Sequence, residues 1–192
     1  MINDMTKRNF DHLITIIDNE FERSKKLFGS KLRCSKGCSQ CCSQIFNITL
    51  LDSIIIGNYL RSLDRDTLSI LKLKSEDYIS KSENPENSDA DFHIKPKISC
   101  PALNKNGECS IYEARPVICR RFGPPVYDYK DPGKIYACEL NFSEGEEIFD
   151  DKLIPNQTEI GKKWDELKTE FNIENGFKKT ASTTIAEAIL NF

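Results

Sequence analysis

The sequence lacks a long apolar run and a strong excess of charge of either sign. Its densest apolar stretch, Ile54-Ile55-Ile56, is far short of the roughly 20 residues that a helix needs to cross a bilayer. Lys and Arg total 27 and Asp and Glu total 30, a formal net charge of −3 that indicates no nucleic acid or other strongly charged partner. The first residues precede no apolar run or small-residue cleavage site, so we expect a cytoplasmic protein without membrane contact.

Cysteine is too scarce for a disulfide scaffold. There are 8 in 192 residues, whereas short secreted scaffolds exceed roughly 8–10%. In a reducing compartment, clustered cysteines are more often metal ligands or redox groups than bridges. The adjacent pair Cys41-Cys42 also disfavours bridges, because neighbouring side chains rarely reach disulfide geometry without strain. Metal ligation is the leading prediction, and disulfides or a redox thiol switch are the alternatives.

Apolar periodicity predicts a mainly α-helical chain with a small β-hairpin. Thr49 and Asp52 predict a helix cap, and Asn106-Gly107 predicts a turn within a hairpin over residues 99–112. Residues 123–142 are expected to be irregular because Gly and Pro interrupt them. The predicted helices cover residues 5–28 (apolar face Phe10, Leu13, Ile14, Ile17, Phe21), Thr49 to about Arg61, Asp64 to Ser82, a short segment from Pro116, and a tail with Ile160, Trp164, Leu167 and Phe171 on one face.

These elements predict one irregular, metal-stabilised domain over residues 1–192. Its metal-binding core covers residues 30–140, and residues 1–29 and 153–192 supply flanking helices. A polar connector over residues 81–97 contains His93, a less favoured candidate ligand. The acidic run from Glu144 to Asp151 is expected to be solvated surface, because it lacks the ligand spacing of a calcium loop.

Two groups of four cysteines carry the candidate chemistry. The first is Cys34-x-x-x-Cys38-x-x-Cys41-Cys42, which places four thiols within nine residues. Thiolates repel one another and need a shared cation, and a short loop preassembles several sulfurs at low entropic cost. Four cysteines hold either one zinc ion or a four-iron cluster, so one or two centres are possible. The predicted metal ligands are Cys34, Cys38, Cys41, Cys42, Cys100, Cys109, Cys119 and Cys138.

Arginines accompany the later cysteines. Arg115 and Arg120 flank Cys119, where they would offset the negative charge of a sulfur-rich centre or bind a carboxylate or phosphate group. We therefore predict both as cofactor-binding residues. The alternative is a structural role, in which they pair with Glu113, Asp128 or backbone carbonyls.

The ordered motifs resemble the YkgJ-type cysteine-cluster family, whose members are described as zinc- or iron-chelating proteins. The resemblance covers roughly residues 30–140 and implies metal chelation without a defined reaction. The motifs that carry it are Cys34-Ser-Lys-Gly-Cys38-Ser-Gln-Cys41-Cys42, Cys100-Pro101-Ala102-Leu103, Gly107-Glu108-Cys109-Ser110-Ile111-Tyr112 and Arg115-Pro116-Val117-Ile118-Cys119-Arg120.

Three function classes follow. The first is a protein that chelates zinc or iron, with no assigned reaction. The second is an iron–sulfur enzyme or redox protein, such as the flagellin lysine methylases that resemble this family. The third is a metal-scaffolded interaction module. Cys34, Cys38 and Cys41 also have the spacing of radical S-adenosylmethionine enzymes, but the chain lacks the strand–helix alternation of their barrel. Substrate, protein partner and oligomeric state stay open.

Overall fold

The structure is a computed structural model that describes residues 2–35, 37–83 and 98–192, so His93 and most of the polar connector lie outside it. The described chain is mainly α-helical with two short antiparallel strand pairs, which confirms the predicted fold class. None of its helices combines the length and apolar character needed to span a membrane. The elements are α1 (Asp4–Phe28), β1 (Ile48–Thr49), α2 (Leu50–Leu60), α3 (Arg65–Glu83), α4 (Val117–Arg121), β2 (Val126–Tyr127), β3 (Ile135–Tyr136), α5 (Leu153–Glu174), β4 (Ser182–Thr183) and α6 (Ile185–Leu190).

The chain divides into two compact units. Unit 1 comprises Met1–Ser35 and Val117–Ala181, and unit 2 comprises Lys36–Pro116 and Ser182–Phe192. Each unit therefore combines segments that are distant in sequence. The single-domain organisation expected from the sequence stays a prediction.

In unit 1, α1 packs against α5. The Asn3 side chain caps α1 by accepting a hydrogen bond from the Thr6 N–H at 2.8 Å. Residues three and four apart share one helix face. Of the predicted apolar stripe of α1, Phe10, Leu13 and Ile17 are buried, and Ile14 and Phe21 are half-buried. The buried apolar residues of the two helices include Phe10, Leu13 and Ile17 of α1 and Leu153, Ile160, Leu167 and Phe171 of α5.

A buried polar network connects α1 to the segment before α5. The Arg23 guanidinium donates to Glu20 Oε2 at 2.8 Å and also to the Asp150 carboxylate. Asn156 donates to the same Glu20 oxygen at 2.8 Å. The Asp150 side chain is only 2% exposed. The expectation of a fully solvated acidic run is therefore wrong at Asp150, whose charge is compensated by Arg23.

In unit 2, β1 pairs with β4, and α6 packs against α2 and α3. The predicted cap of α2 is present as a capping box. The Asp52 N–H donates to Thr49 Oγ1 at 3.0 Å, and the Thr49 N–H donates to Asp52 Oδ2 at 3.1 Å. Thr184 and Glu187 form a second capping box at the start of α6.

The hairpins differ from the prediction. Within residues 99–112 the structure has a tight loop closed by one bridge, between Leu103 and Cys109. A hairpin of two ladder strands instead joins β2 and β3, within residues 123–142 that were expected to be irregular. The expectation is therefore wrong for these four strand residues and holds for the turns and bends around them. Two-residue strands are too short to leave an alternating apolar pattern between Gly and Pro residues.

Candidate metal centre

The two units divide the eight cysteines. Unit 2 holds five of them, and unit 1 holds the other three. All lie in the described part of the chain, and none forms a disulfide. The boundary between the units therefore separates Cys34 from the other three cysteines of the nine-residue cluster. Unit 2 contains Cys38, Cys41, Cys42, Cys100 and Cys109, and unit 1 contains Cys34, Cys119 and Cys138.

Cys41 and Cys42 lie in a 3₁₀ turn, Gln40–Ser43. The turn is closed by the Cys42 N–H, which donates to Ser39 O at 2.9 Å. A side-chain hydrogen bond with Cys42, together with partial burial, raises the pKa of the Cys41 thiol well above its ordinary value, and the positive charge of Arg115 opposes this rise. Adjacent sulfurs of this kind resist carrying two negative charges without a cation.

The later loop carries Cys100 and Cys109 at its two ends. The Leu103 N–H donates to Cys100 O at 3.0 Å, and the Asn104 side-chain oxygen accepts the N–H of Glu108 at 2.9 Å. Gly107 has φ +77°, a left-handed conformation that favours glycine. The turn reverses the direction of the chain, so both cysteines lie in one compact loop.

Backbone contacts join the two cysteine loops. The Cys100 N–H donates to Cys42 O at 2.7 Å. A Cβ atom placed on Gly107 would lie 3.2 Å from Gly37 O, so only a residue without a side chain fits easily there. Early and late cysteines of the sequence are thus neighbours within unit 2.

The electrostatics show that these thiols affect one another. Burial raises the pKa of Cys100 to about 11, and the neighbouring Cys109 and Cys41 thiols contribute to the rise. A backbone hydrogen bond from Ala102 and the charge of Lys74 oppose it. We call Cys41, Cys42, Cys100 and Cys109 the cysteine tetrad.

Thiol donors of this kind fit zinc or iron, because soft sulfur ligands select such metals. In the described ranges, however, no three His, Cys, Asp or Glu side chains are arranged so that they could hold a metal ion. The tetrad thus supplies suitable donor atoms on two loops that the backbone hydrogen bond from Cys100 to Cys42 joins.

Unit 1 brings two other cysteines to Gly123. The Cys138 N–H donates to Gly123 O at 3.1 Å, and a Cβ atom placed on Gly123 would lie 2.7 Å from Cys34 Sγ. The buried Asn141 side chain donates to Gly123 O at 2.6 Å and to Cys34 Sγ at 3.5 Å. Its oxygen accepts the Arg33 N–H at 2.8 Å, which fixes the orientation of the amide.

A family model described as "CxxCxxCC: Putative zinc- or iron-chelating domain" matches residues 33–138, more than half of the chain. The chain belongs to this family. The resemblance predicted from the motifs is thereby confirmed, and the matched segment includes every cysteine. No curated protein and no solved structure is significantly similar to the chain.

Within this CxxCxxCC-family chain, the two predicted cofactor-binding arginines lie in different units. Arg115 lies in unit 2, with its guanidinium carbon 5.3 Å from the centroid of the Tyr112 ring and its charge acting on Cys41. Arg120 lies in unit 1, where it pairs with Asp18 at 3.1 Å. The charge of Arg115 thus acts on a tetrad cysteine, Arg120 has an acidic partner, and the cofactor-binding role of both stays a prediction.

Lys74 and Asn141 contact cysteine-bearing segments but were not predicted from the sequence. Lys74 is one of three lysines on α3, and its contact with Leu103 joins residues 29 positions apart. Asn141 follows the last residue of the family match and carries no motif of its own. Neither position has a sequence pattern that distinguishes it, because both act through tertiary contacts.

Proposed function

We propose that this chain binds zinc or iron through the cysteine tetrad of unit 2. The hydrogen bond from Cys100 N–H to Cys42 O supports this proposal most directly, because it holds the two cysteine loops together at 2.7 Å. Membership of a zinc- or iron-chelating family supports the same chemistry. Whether Cys34, Cys38, Cys119 and Cys138 also bind metal stays a prediction.

Metal binding and proton release are coupled in this site. The raised pKa values of Cys41 and Cys100 mean that these thiols keep their protons at neutral pH until a cation compensates the charge. A bound cation stabilises the thiolates, so each ligating thiol gives up its proton as the metal enters. Affinity should therefore rise with pH across the neutral range.

A four-cysteine donor set also suits an iron–sulfur cluster. The tetrad suits an iron–sulfur cluster as well as it suits zinc, because a zinc ion and a cluster can each be held by four thiolates without an oxygen or nitrogen ligand. The two differ in colour, since an iron–sulfur centre absorbs visible light and zinc does not. Anaerobic purification of the full chain, with metal analysis and a visible spectrum, distinguishes them.

Substitution of the tetrad tests the proposed ligands. We expect Cys41→Ser, Cys100→Ser and Cys109→Ser each to lower metal affinity by more than the 10–100-fold typical of losing an outer partner of a ligand. Ser43→Ala, in the same turn as Cys41, is the matched control and should keep the wild-type metal content. Cys38→Ser asks whether this exposed thiol belongs to the site. Equal metal content in wild type and all three tetrad variants would refute the proposal.

A further inference from the structure

A lysine from α3 reaches the loop that carries Cys100 and Cys109. The Lys74 ammonium donates a hydrogen bond to the carbonyl of Leu103. Leu103 in turn donates its N–H to Cys100 O at 3.0 Å and forms the bridge with Cys109. The ammonium group is therefore fixed on the short loop between two tetrad cysteines.

Two positive charges act on the tetrad. Lys74 donates to the loop between Cys100 and Cys109, and its charge acts on Cys100. The charge of Arg115 acts on Cys41, in the other cysteine loop.

The number of cations matches the charge of a loaded site. Four thiolates with one divalent cation carry a net charge of −2, and so do four thiolates around a four-iron cluster of charge +2. Such a charge in a partly buried site is costly unless it is compensated nearby. Lys74 and Arg115 together supply two positive charges.

We propose that Lys74 is a positioning residue of the cysteine tetrad, which orders the Cys100–Cys109 loop and, with Arg115, compensates the charge of the metal-loaded site. This inference rests on the proposed function. It adds a residue that is not itself a ligand and predicts that metal affinity depends on positive charge at position 74.

Three substitutions separate the charge of Lys74 from its hydrogen bond. Lys74→Arg keeps both, Lys74→Gln keeps a donor without the charge, and Lys74→Met removes both. Lys72→Met is the matched control, because Lys72 lies on the same helix but has its ammonium 5.9 Å from the centroid of the Phe192 ring. Each variant is prepared as the reduced full chain, and its helix content is checked by circular dichroism before metal is added.

The measurement is the apparent zinc affinity from competition with a chelator, at low and high ionic strength. We expect Lys74→Met and Lys74→Gln to bind zinc roughly tenfold more weakly at low salt, as removal of one charge near a partly solvated site implies. The difference from wild type should narrow at high salt, because screening reduces a charge effect. Lys74→Arg and Lys72→Met should stay within about twofold of wild type.

Two results would overturn the inference. If Lys74→Gln binds zinc as tightly as wild type while Lys74→Met does not, Lys74 orders the loop without charge compensation. If Lys74→Met binds zinc as tightly as Lys72→Met, Lys74 has neither role. Cys100→Ser is measured in the same series. If it binds zinc as tightly as wild type, the proposed function itself has failed.

Discussion

Gly123 offers a direct test of where the Cys34 sulfur lies. Its φ of +128° belongs to a region that L-residues rarely adopt, and a Cβ atom there would lie 2.7 Å from Cys34 Sγ. Gly123→Ala therefore combines backbone strain of about 1–3 kcal/mol with a steric clash of about 1–3 kcal/mol. We expect the free energy of unfolding to fall by about 2–6 kcal/mol.

Gly133→Ala is the matched control for backbone strain. Gly133 also has a positive φ, +91°, but a Cβ atom there would meet no atom within 4 Å. Only the strain of about 1–3 kcal/mol should apply. The difference between the two variants therefore estimates the clash with the sulfur.

A double-mutant cycle assigns that clash to Cys34. In a Cys34→Ala background the sulfur is absent, so Gly123→Ala should become about 1–3 kcal/mol less destabilising than in the wild-type background. The assay is urea unfolding of the reduced chain, in chelator and again with added zinc. If Gly123→Ala has the same cost in both backgrounds, within about 0.5 kcal/mol, the sulfur does not pack against this glycine.

Two further predictions concern stability. Thr49→Ala should lower the free energy of unfolding by about 1–2 kcal/mol. The loss should exceed that of Thr184→Ala, because the capping box of α2 is buried and that of α6 is exposed. Urea unfolding of both variants measures the two losses, and equal values would contradict the prediction. Burial alone would raise the pKa of Asp165, but hydrogen bonds from Lys130, Lys168 and Tyr129 outweigh it and lower the pKa to about 2. The carboxylate therefore contributes stability that is present above pH 4 and lost as the pH falls towards 2, about 1 kcal/mol after solvent screening. Asp165→Asn should reduce the loss of thermal stability between pH 4 and pH 2, as measured by thermal unfolding at a series of pH values. An unchanged loss would refute the assignment.

Local patterns in the sequence predicted those features of the fold that depend on neighbouring residues. The apolar stripe of α1 follows from spacings of three and four, and the cap of α2 follows from Thr49 and Asp52 three positions apart. The turn before Cys109 follows from Asn106-Gly107. In each case the interacting groups are only a few residues apart, so the sequence itself contains the geometry.

Features that depend on distant residues could not be predicted in this way. Asp150 belongs to an acidic run that is typical of solvated surface, yet Arg23, 127 positions earlier, keeps it buried as an ion pair. Asn141 and Lys74 contact cysteine-bearing segments 107 and 29 positions away in the sequence. The cysteine motif predicted metal ligands, but only the fold showed which thiols are neighbours.

If the cysteine tetrad binds metal as proposed, folding and metal binding depend on each other in unit 2. Its two loops are already joined by the Cys100–Cys42 backbone hydrogen bond, so little chain entropy remains to be lost when the sulfurs converge. The sulfurs nevertheless resist convergence as anions, because burial and mutual repulsion raise the pKa of Cys100 to about 11. A bound cation would remove this obstacle by stabilising the thiolates, which couples thiol ionisation to metal binding. In the proposed site Lys74 and Arg115 lower the cost of metal binding without being ligands, so the metal affinity should respond to changes in these two residues.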